Sequence, residues 1–272
     1  MQPITSRDHP FFKQLVKLGK SARQRKTSGL TLLDGIHLIQ AYDAALGSPV
    51  SLIMSESGRE SAEIKNLLCA IDYERKTKTT ILSDALFHQV SPVKTPIGIM
   101  ALISIPEIKS VSDNKHKAFY ILLEAIQDPG NLGSILRSAA AAGVSDVYLS
   151  SDCTHAWSPK TLRAAMGAHF LLRIHENSNL VETAQQFHGK IIATSLQAKK
   201  HLYQTQLAGP IAFAFGNEGM GLSNELSQVT SEQVTIPMPG KTESLNVAAA
   251  AAICLFEKVR QTTNRENTGI NN

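Results

Sequence analysis

Cysteine is scarce in these 272 residues. Cys69, Cys153 and Cys254 are odd in number, scattered and without C-x-x-C spacing, which excludes a disulfide framework and a thiolate zinc cluster. No metal is expected, and a reducing, cytoplasmic compartment is. No window approaches the ~18 consecutive apolar residues of a membrane span, and no apolar run follows a basic start at the N-terminus. Neither a membrane anchor nor a secretory leader is therefore expected. Aromatic residues make up only 6% of the chain, too few for an obvious base-stacking platform. Neither G-x-G-x-x-G nor a Walker lysine pattern occurs, which removes the usual dinucleotide and P-loop readings.

What the chain has is enough apolar content, 43%, for one large core or two modest ones. Its net charge of +4 is unevenly placed. Arg7, Lys13, Lys17, Lys20, Arg23, Arg25 and Lys26 are opposed only by Asp8. A field of this kind attracts phosphate backbones through counterion release, with Arg7, Arg23, Arg25 and Lys26 as candidate contacts. The same run also fits a solvated N-terminal face.

The polar segment 105–117 carries a proline and no apolar period, so it reads as a linker. It divides the chain into 1–104 and 118–264, with a polar tail, 265–272, expected to be disordered. In the first part, strands are expected at 31–33, 51–54, 79–82 and 98–104, with a helix over 35–45 and another capped by Ser83, giving a small α/β module. In the second, apolar runs at 119–126, 146–150, 190–194, 210–216 and 233–237 alternate with helical patterns near 131–142, 159–167, 179–188 and 223–229. That order predicts a mostly parallel sheet with helices on both faces. A last helix is expected over about 244–260, whose run of alanines suits close helix packing in a core or between subunits.

Three glycine-punctuated segments each read as a strand ending in a turn: Asp128-Pro-Gly-Asn-Leu-Gly-Ser-Ile-Leu-Arg137, Phe215-Gly-Asn-Glu-Gly-Met-Gly221 and Ile236-Pro-Met-Pro-Gly-Lys-Thr-Glu-Ser-Leu-Asn-Val247. In an open α/β sheet such turns gather at one edge, so the three can converge on one ligand. In the first, Asn131 is an apt N-cap, Gly143 an apt stop, and Arg137 sits among short side chains that leave it unscreened; an ordinary surface arginine is the plainer reading. In the second, missing side chains admit a ligand to the backbone, and Glu218 can accept from hydroxyls; a simple turn is the alternative. In the third, Ser244 and Asn246 open a helix where N–H groups face an anion, and capping by Ser244 explains the serine but not the asparagine.

Taken together and in this order, N-x-G-x-x-x-R at Asn131–Arg137, G-N-E-x-x-G at Gly216–Gly221 and I-P-M-x-G-x-x-x-S-L-N-V at Ile236–Val247 resemble the three motifs of the SpoU/TrmH family of RNA ribose 2′-O-methyltransferases. The likeness spans about 117–260. The N-terminal half is similar to that family's small RNA-binding domain, with Asp34 where Glu is commoner and Ala165 where many members carry serine. The resemblance implies a trefoil-knotted α/β catalytic domain, a homodimer, S-adenosylmethionine as cofactor and RNA as substrate, ribosomal RNA before transfer RNA. It implies a cofactor pocket at Thr194, Gly216, Ile236 and Leu245, and catalytic positions at Asn131, Arg137, Glu218, Ser244 and Asn246. The family's arginine is proposed as general base. A guanidinium gives up its proton only far above neutral pH, which favours instead a phosphate clamp and alkoxide stabiliser. A silent RNA-binding protein of the same fold is the rival, and the intact polar set argues against it.

Overall fold

A computed structural model describes residues 2–70, 77–108, 118–217 and 219–268, the last four by backbone alone. The described chain forms two compact units, one of Met1–Glu107 with His155–Phe170 and one of Ile108–Thr154 with Leu171–Asn272.

The basic N-terminal run is helical. Helix α1 (Pro10–Lys20) starts with proline at its first turn and the His9 ring accepting from Phe11 N–H; α2 (Ala22–Ser28) is capped by Ser21. Phe12, Leu15 and Leu18 of α1 are buried, at the i, i+3, i+6 spacing of a helix face. They pack on β1 (Leu30–Asp34) and its neighbours. The unit continues through α3 (Ile36–Leu46), β2 (Ser51–Ser55), α4 (Glu56–Glu60), α5 (Ala62–Ala70), β3 (Lys78–Leu82), α6 (Asp84–Val90) and β4 (Ile99–Ser104). Ser83 caps α6 through Leu86 N–H, and the expected strands and helix α3 are present. The sheet order is β1-β4-β2-β3, with β4 antiparallel to both neighbours and β2 parallel to β3. Of the expected linker, 105–108 has no regular structure and 109–117 lies outside the described residues.

The chain then builds β5 (Phe119–Leu123), α7 (Pro129–Ala142) and β6 (Asp146–Leu149) of the second unit. Gly143, at φ 81°, ends α7 in the left-handed conformation that glycine adopts without strain. Next comes a departure from the expected alternation. Helix α8 (Pro159–Ala165) and a 3₁₀ turn at Ala168–Phe170 belong to the first unit instead of covering the parallel sheet. Thr31 Oγ1 donates to Trp157 O at 2.7 Å, and Tyr42 meets Phe170 edge to face. Arg163 lies 3.7 Å from Asp34, whose carboxyl burial pushes up while Ser91 and Arg163 pull it partly back.

Arg25, expected among the phosphate contacts, is only 3% exposed. Its Nη1 donates to Leu18 O at 2.6 Å and its Nε to His155 Nδ1 at 3.4 Å, so it ties α1, α2 and the 155–170 segment together and cannot face a polyanion. Burial, with Arg25 and Lys26 close by, pushes His155 down to about 4. His169, fully buried and donating from Nε2 to Ala156 O, is also pushed down by burial to about 4. Both rings stay neutral in the folded unit, whereas in the unfolded chain they take up protons near pH 6.5. Stability is thus complete above pH 6.5 and is lost as pH falls from there to about 4. Denaturant unfolding of His169→Gln is expected to lose about 3 kcal/mol less than the parent between pH 7 and 4.

The second unit resumes with β7 (Arg173–His175), α9 (Leu180–Gln186), β8 (Lys190–Thr194), β9 (Ile211–Phe215), α10 (Asn224–Gln228), β10 (Glu232–Val234) and α11 (Val247–Thr268). Its six strands run parallel in the order β10-β8-β9-β5-β6-β7. Leu122, Ile191, Ala193, Ala212 and Ala214 pack with α9 and α10 on one face. The alternate residues Ile121, Leu123, Phe213 and Phe215 are buried as well, and α11 lies against α7 and β9, so the sheet is covered on both faces as expected. Strand β7 was not anticipated. Its outer residues Arg173 and His175 both donate to Asp146; burial raises that carboxyl, and these hydrogen bonds outweigh burial and hold it below the usual range. Helix α11 continues through 265–268, the start of the expected disordered tail, because nothing before Gly269 breaks a helix already nucleated; 269–272 lie outside the described residues. Among the described residues no helix is long and apolar enough to cross a membrane.

Candidate functional site

Parallel strands bring the ends of β5, β8, β9 and β10 to one edge of the second unit. There a cavity of about 540 Å³ opens among the loops that follow β8, β9 and β10. Thr194 and Ser195 line it from the first loop, Gly216–Asn217 and Gly219–Leu222 from the second, and Thr235, Ile236, Met238, Ser244 and Leu245 from the third. All four expected pocket residues, Thr194, Gly216, Ile236 and Leu245, therefore lie on one wall system, and Ser244 joins them.

The second loop is shaped by Asn217, a residue that sequence reasoning passed over in favour of its glycines. Its Oδ1 accepts from Gly219 N at 2.9 Å and Met220 N at 3.2 Å, and its backbone exchanges two hydrogen bonds with Gly221. The Gly-Asn dipeptide was the available signal, since an asparagine that bonds its own following backbone is the usual device for a tight turn. Gly216 must be glycine: a Cβ there would stand 2.2 Å from the carbonyl of Gly221. Glu218 lies outside the described residues.

Capping differs from expectation at both helices that border the site. Asp128, not Asn131, caps α7, accepting from Asn131 N at 2.8 Å, because Pro129 takes the first helical position and moves the start back. Asn246, not Ser244, opens α11: its Oδ1 accepts from Ala248 N at 2.9 Å and Ala249 N at 3.3 Å. With that oxygen engaged, Nδ2 points the other way and donates to Asn131 Oδ1 at 2.9 Å. Two of the expected catalytic residues, 115 positions apart, thus touch. Arg137 is exposed on α7, off the cavity lining, and makes no hydrogen bond or ion pair with another described residue. Arg7, Arg23 and Lys26 are exposed in the first unit. Among the described residues no cluster of three His, Cys, Asp or Glu side chains could hold a metal.

The double role of Asn246 separates by substitution. Asn246→Asp keeps the cap oxygen and removes the donor to Asn131, whereas Asn246→Ala removes both. Thermal unfolding is expected to cost about 1 kcal/mol for alanine and little for aspartate. Both variants lose the contact that orients Asn131.

A model of the SpoU rRNA Methylase family matches residues 118–256. The chain is 33% identical over 262 residues to an uncharacterised tRNA/rRNA methyltransferase of Synechocystis sp., spanning 95% of this chain and 93% of that one. It is 38% identical over 239 residues to the 23S rRNA (guanosine-2′-O-)-methyltransferase RlmB of Shewanella oneidensis, spanning 85% and 97%. A solved RNA 2′-O ribose methyltransferase superposes with a TM-score of 0.82 at 28% identity, over 96% of this chain and the whole of that one. Two motif loops lining one cavity, a first motif joined to the third through Asn131 and Asn246, and likeness over nearly the full length place the chain in the SpoU rRNA methylase family.

Proposed function

We propose that this chain methylates a ribose 2′-hydroxyl of ribosomal RNA, using S-adenosylmethionine. The observation that carries the reading is the cavity walled by the second and third motif loops of a SpoU family member, with Asn131 of the first motif held by Asn246, next to the lining residues Leu245 and Val247. The residues present fit such a cofactor. About 540 Å³ suits a ligand of that size, Ile236, Met238 and Leu245 offer apolar contact for a flat ring, and the bare backbone at Gly216 lets a ligand approach main-chain groups. When bound, the cofactor supplies a methyl group on a sulfonium, already a strong electrophile. The protein's share of the work is alignment of the hydroxyl and relief of the negative charge that grows on its oxygen. Asn246 fixes the orientation of Asn131 at the entrance to α7. Arg137, permanently charged and unclaimed by the described residues, clamps a phosphate and stabilises the developing alkoxide, while the proton passes to phosphate or solvent.

A guanosine of 23S rRNA is the favoured acceptor, by likeness to RlmB. The reading includes a trefoil knot, supported by the strand order, in which β9 enters between β8 and β5 and β10 falls outside β8. It includes a homodimer, supported by Phe256, 47% exposed on the alanine-rich α11, and a cytoplasmic place, supported by three cysteines that form no disulfide. It assigns RNA binding to the N-terminal unit through the exposed stripe Lys13, Lys17 and Lys20 on α1, with Arg7, Arg23 and Lys26. Arg23→Glu with Lys26→Glu should weaken RNA binding and reduce its salt slope by about 2. Arg25→Ala should cost about 2 kcal/mol of stability and leave that slope unchanged. Filter binding across a salt series, beside denaturant unfolding, distinguishes them.

The reading as a whole is tested by mapping 2′-O-methyl groups in total RNA from a strain lacking this protein against its parent. A site lost from ribosomal RNA and restored by the intact gene is the expected result. A site lost from transfer RNA instead would move the substrate, and no lost site would overturn the assignment.

A further inference from the structure

Two consecutive residues after β5 hold both ends of the glycine-rich loop that walls the cavity. At the start of the loop, Asn217 Nδ2 donates to Ala125 O at 3.1 Å. At its end, Ser223 donates to the Glu124 carboxylate twice, from N at 2.7 Å and from Oγ at 2.7 Å. The same Ser223 Oγ accepts from Leu226 N at 3.2 Å, so the latch is continuous with the first turn of α10. Between the two anchors lie Gly219, Met220, Gly221 and Leu222, all of which line the cavity. Glu124 itself does not line it. Ala125 is held at φ 55°, an uncommon conformation for a residue with a Cβ, and its N–H is taken by Ser150 Oγ at 3.0 Å. That bend carries the carbonyl of Ala125 to Asn217 while the neighbouring Glu124 reaches Ser223.

A loop with glycines at 216, 219 and 221 loses much conformational entropy on ordering and needs anchors to keep one shape. A carboxylate meets the need at Ser223, because it presents two oxygens to two donors and no hydrogen of its own. A carboxamide has one such oxygen and would set an NH₂ group against a donor.

We propose that Glu124 is a positioning residue for the cofactor cavity: by latching Ser223 it fixes the wall formed by Gly216, Asn217 and Gly219–Leu222 in its binding shape without touching the ligand. The proposal deepens the methyltransferase reading and rests on it for the identity of the ligand. It also predicts a division of effects. Loss of the latch loosens the cavity wall, so cofactor affinity suffers while RNA affinity does not.

The test compares the full chain with Glu124→Gln and Glu124→Asp by three measurements: amide hydrogen exchange without any ligand, calorimetric titration with S-adenosylmethionine, and RNA binding. For Glu124→Gln the expected result is exchange at 217–223 faster by tenfold or more, S-adenosylmethionine affinity lower by ten- to a hundredfold, and unchanged RNA affinity. Glu124→Asp, which keeps both oxygens on a shorter stem, should recover part of each loss. Parental exchange at 217–223 in Glu124→Gln overturns the latch. Exchange that rises evenly through the second unit overturns it too, since that is the mark of general destabilisation. If the unsubstituted protein binds no S-adenosylmethionine, the cofactor part of the proposal falls with the methyltransferase reading, and ligand-free exchange alone decides the latch.

Discussion

Arg137→Ala is expected to lower the rate of methyl transfer by about 10²–10³-fold, the usual effect of removing one charge-stabilising donor from a reacting oxygen. Stability should hardly change. The side chain is exposed, makes no hydrogen bond with a described residue, and lies within a helix where alanine is at least as favourable as arginine. Cofactor affinity should also survive, because Arg137 is not part of the cavity lining. Arg137→Lys keeps the charge but loses the planar fork, so it should restore only part of the rate. Calorimetry with S-adenosylmethionine beside a single-turnover methyl-transfer assay separates the two quantities. Equal losses of affinity and rate would sink the role given to this arginine.

Gly216→Ala is expected to have the opposite profile, with S-adenosylmethionine affinity reduced more than a hundredfold and stability lowered by about 3 kcal/mol. The new methyl would stand 2.2 Å from both the carbonyl carbon and oxygen of Gly221 and 2.4 Å from Leu222 N. These are backbone atoms with no rotamer to yield, so the turn must open and the cavity wall with it. Gly219→Ala is the internal control. Its Cβ would meet only Asn217 Oδ1, at the ordinary distance of 3.5 Å, and both affinity and stability should stay near the parent. Calorimetry and denaturant unfolding on the pair decide the matter; matching losses at both positions would show that side-chain bulk at Gly216 is not the cause.

The second unit was largely legible because its code is local. Apolar runs flanked by glycine and proline mark Phe119–Leu123, Lys190–Thr194 and Ile211–Phe215 as buried parallel strands, and the motif loops follow the first of these, the third, and the short strand Glu232–Val234. The failures share a cause, which is that the deciding partner is distant or the local competition close. Pro129 shifted a cap by three residues to Asp128, a contest between two good capping side chains that only geometry resolves. Asn246 took the cap from Ser244, and its bond to Asn131 spans 115 positions. Strand Arg173–His175 is three residues long and mostly polar, and what draws its flanks in is Asp146. At the N-terminus, attention to charge hid the helical spacing of Phe12, Leu15 and Leu18, and no rule of composition marks Arg25 as the buried member of a cationic run.

The excursion of His155–Phe170 into the first unit has a consequence for gene dissection. Those residues fall inside the stretch that matches the family model, yet Trp157, Leu162 and Ala165 are buried with the N-terminal unit. Severing the polypeptide at the interdomain junction would therefore leave one fragment lacking a tenon and the other with an apolar tongue in water. Any chimera that exchanges N-terminal halves between relatives has to transplant this insert along with them, as a two-piece graft.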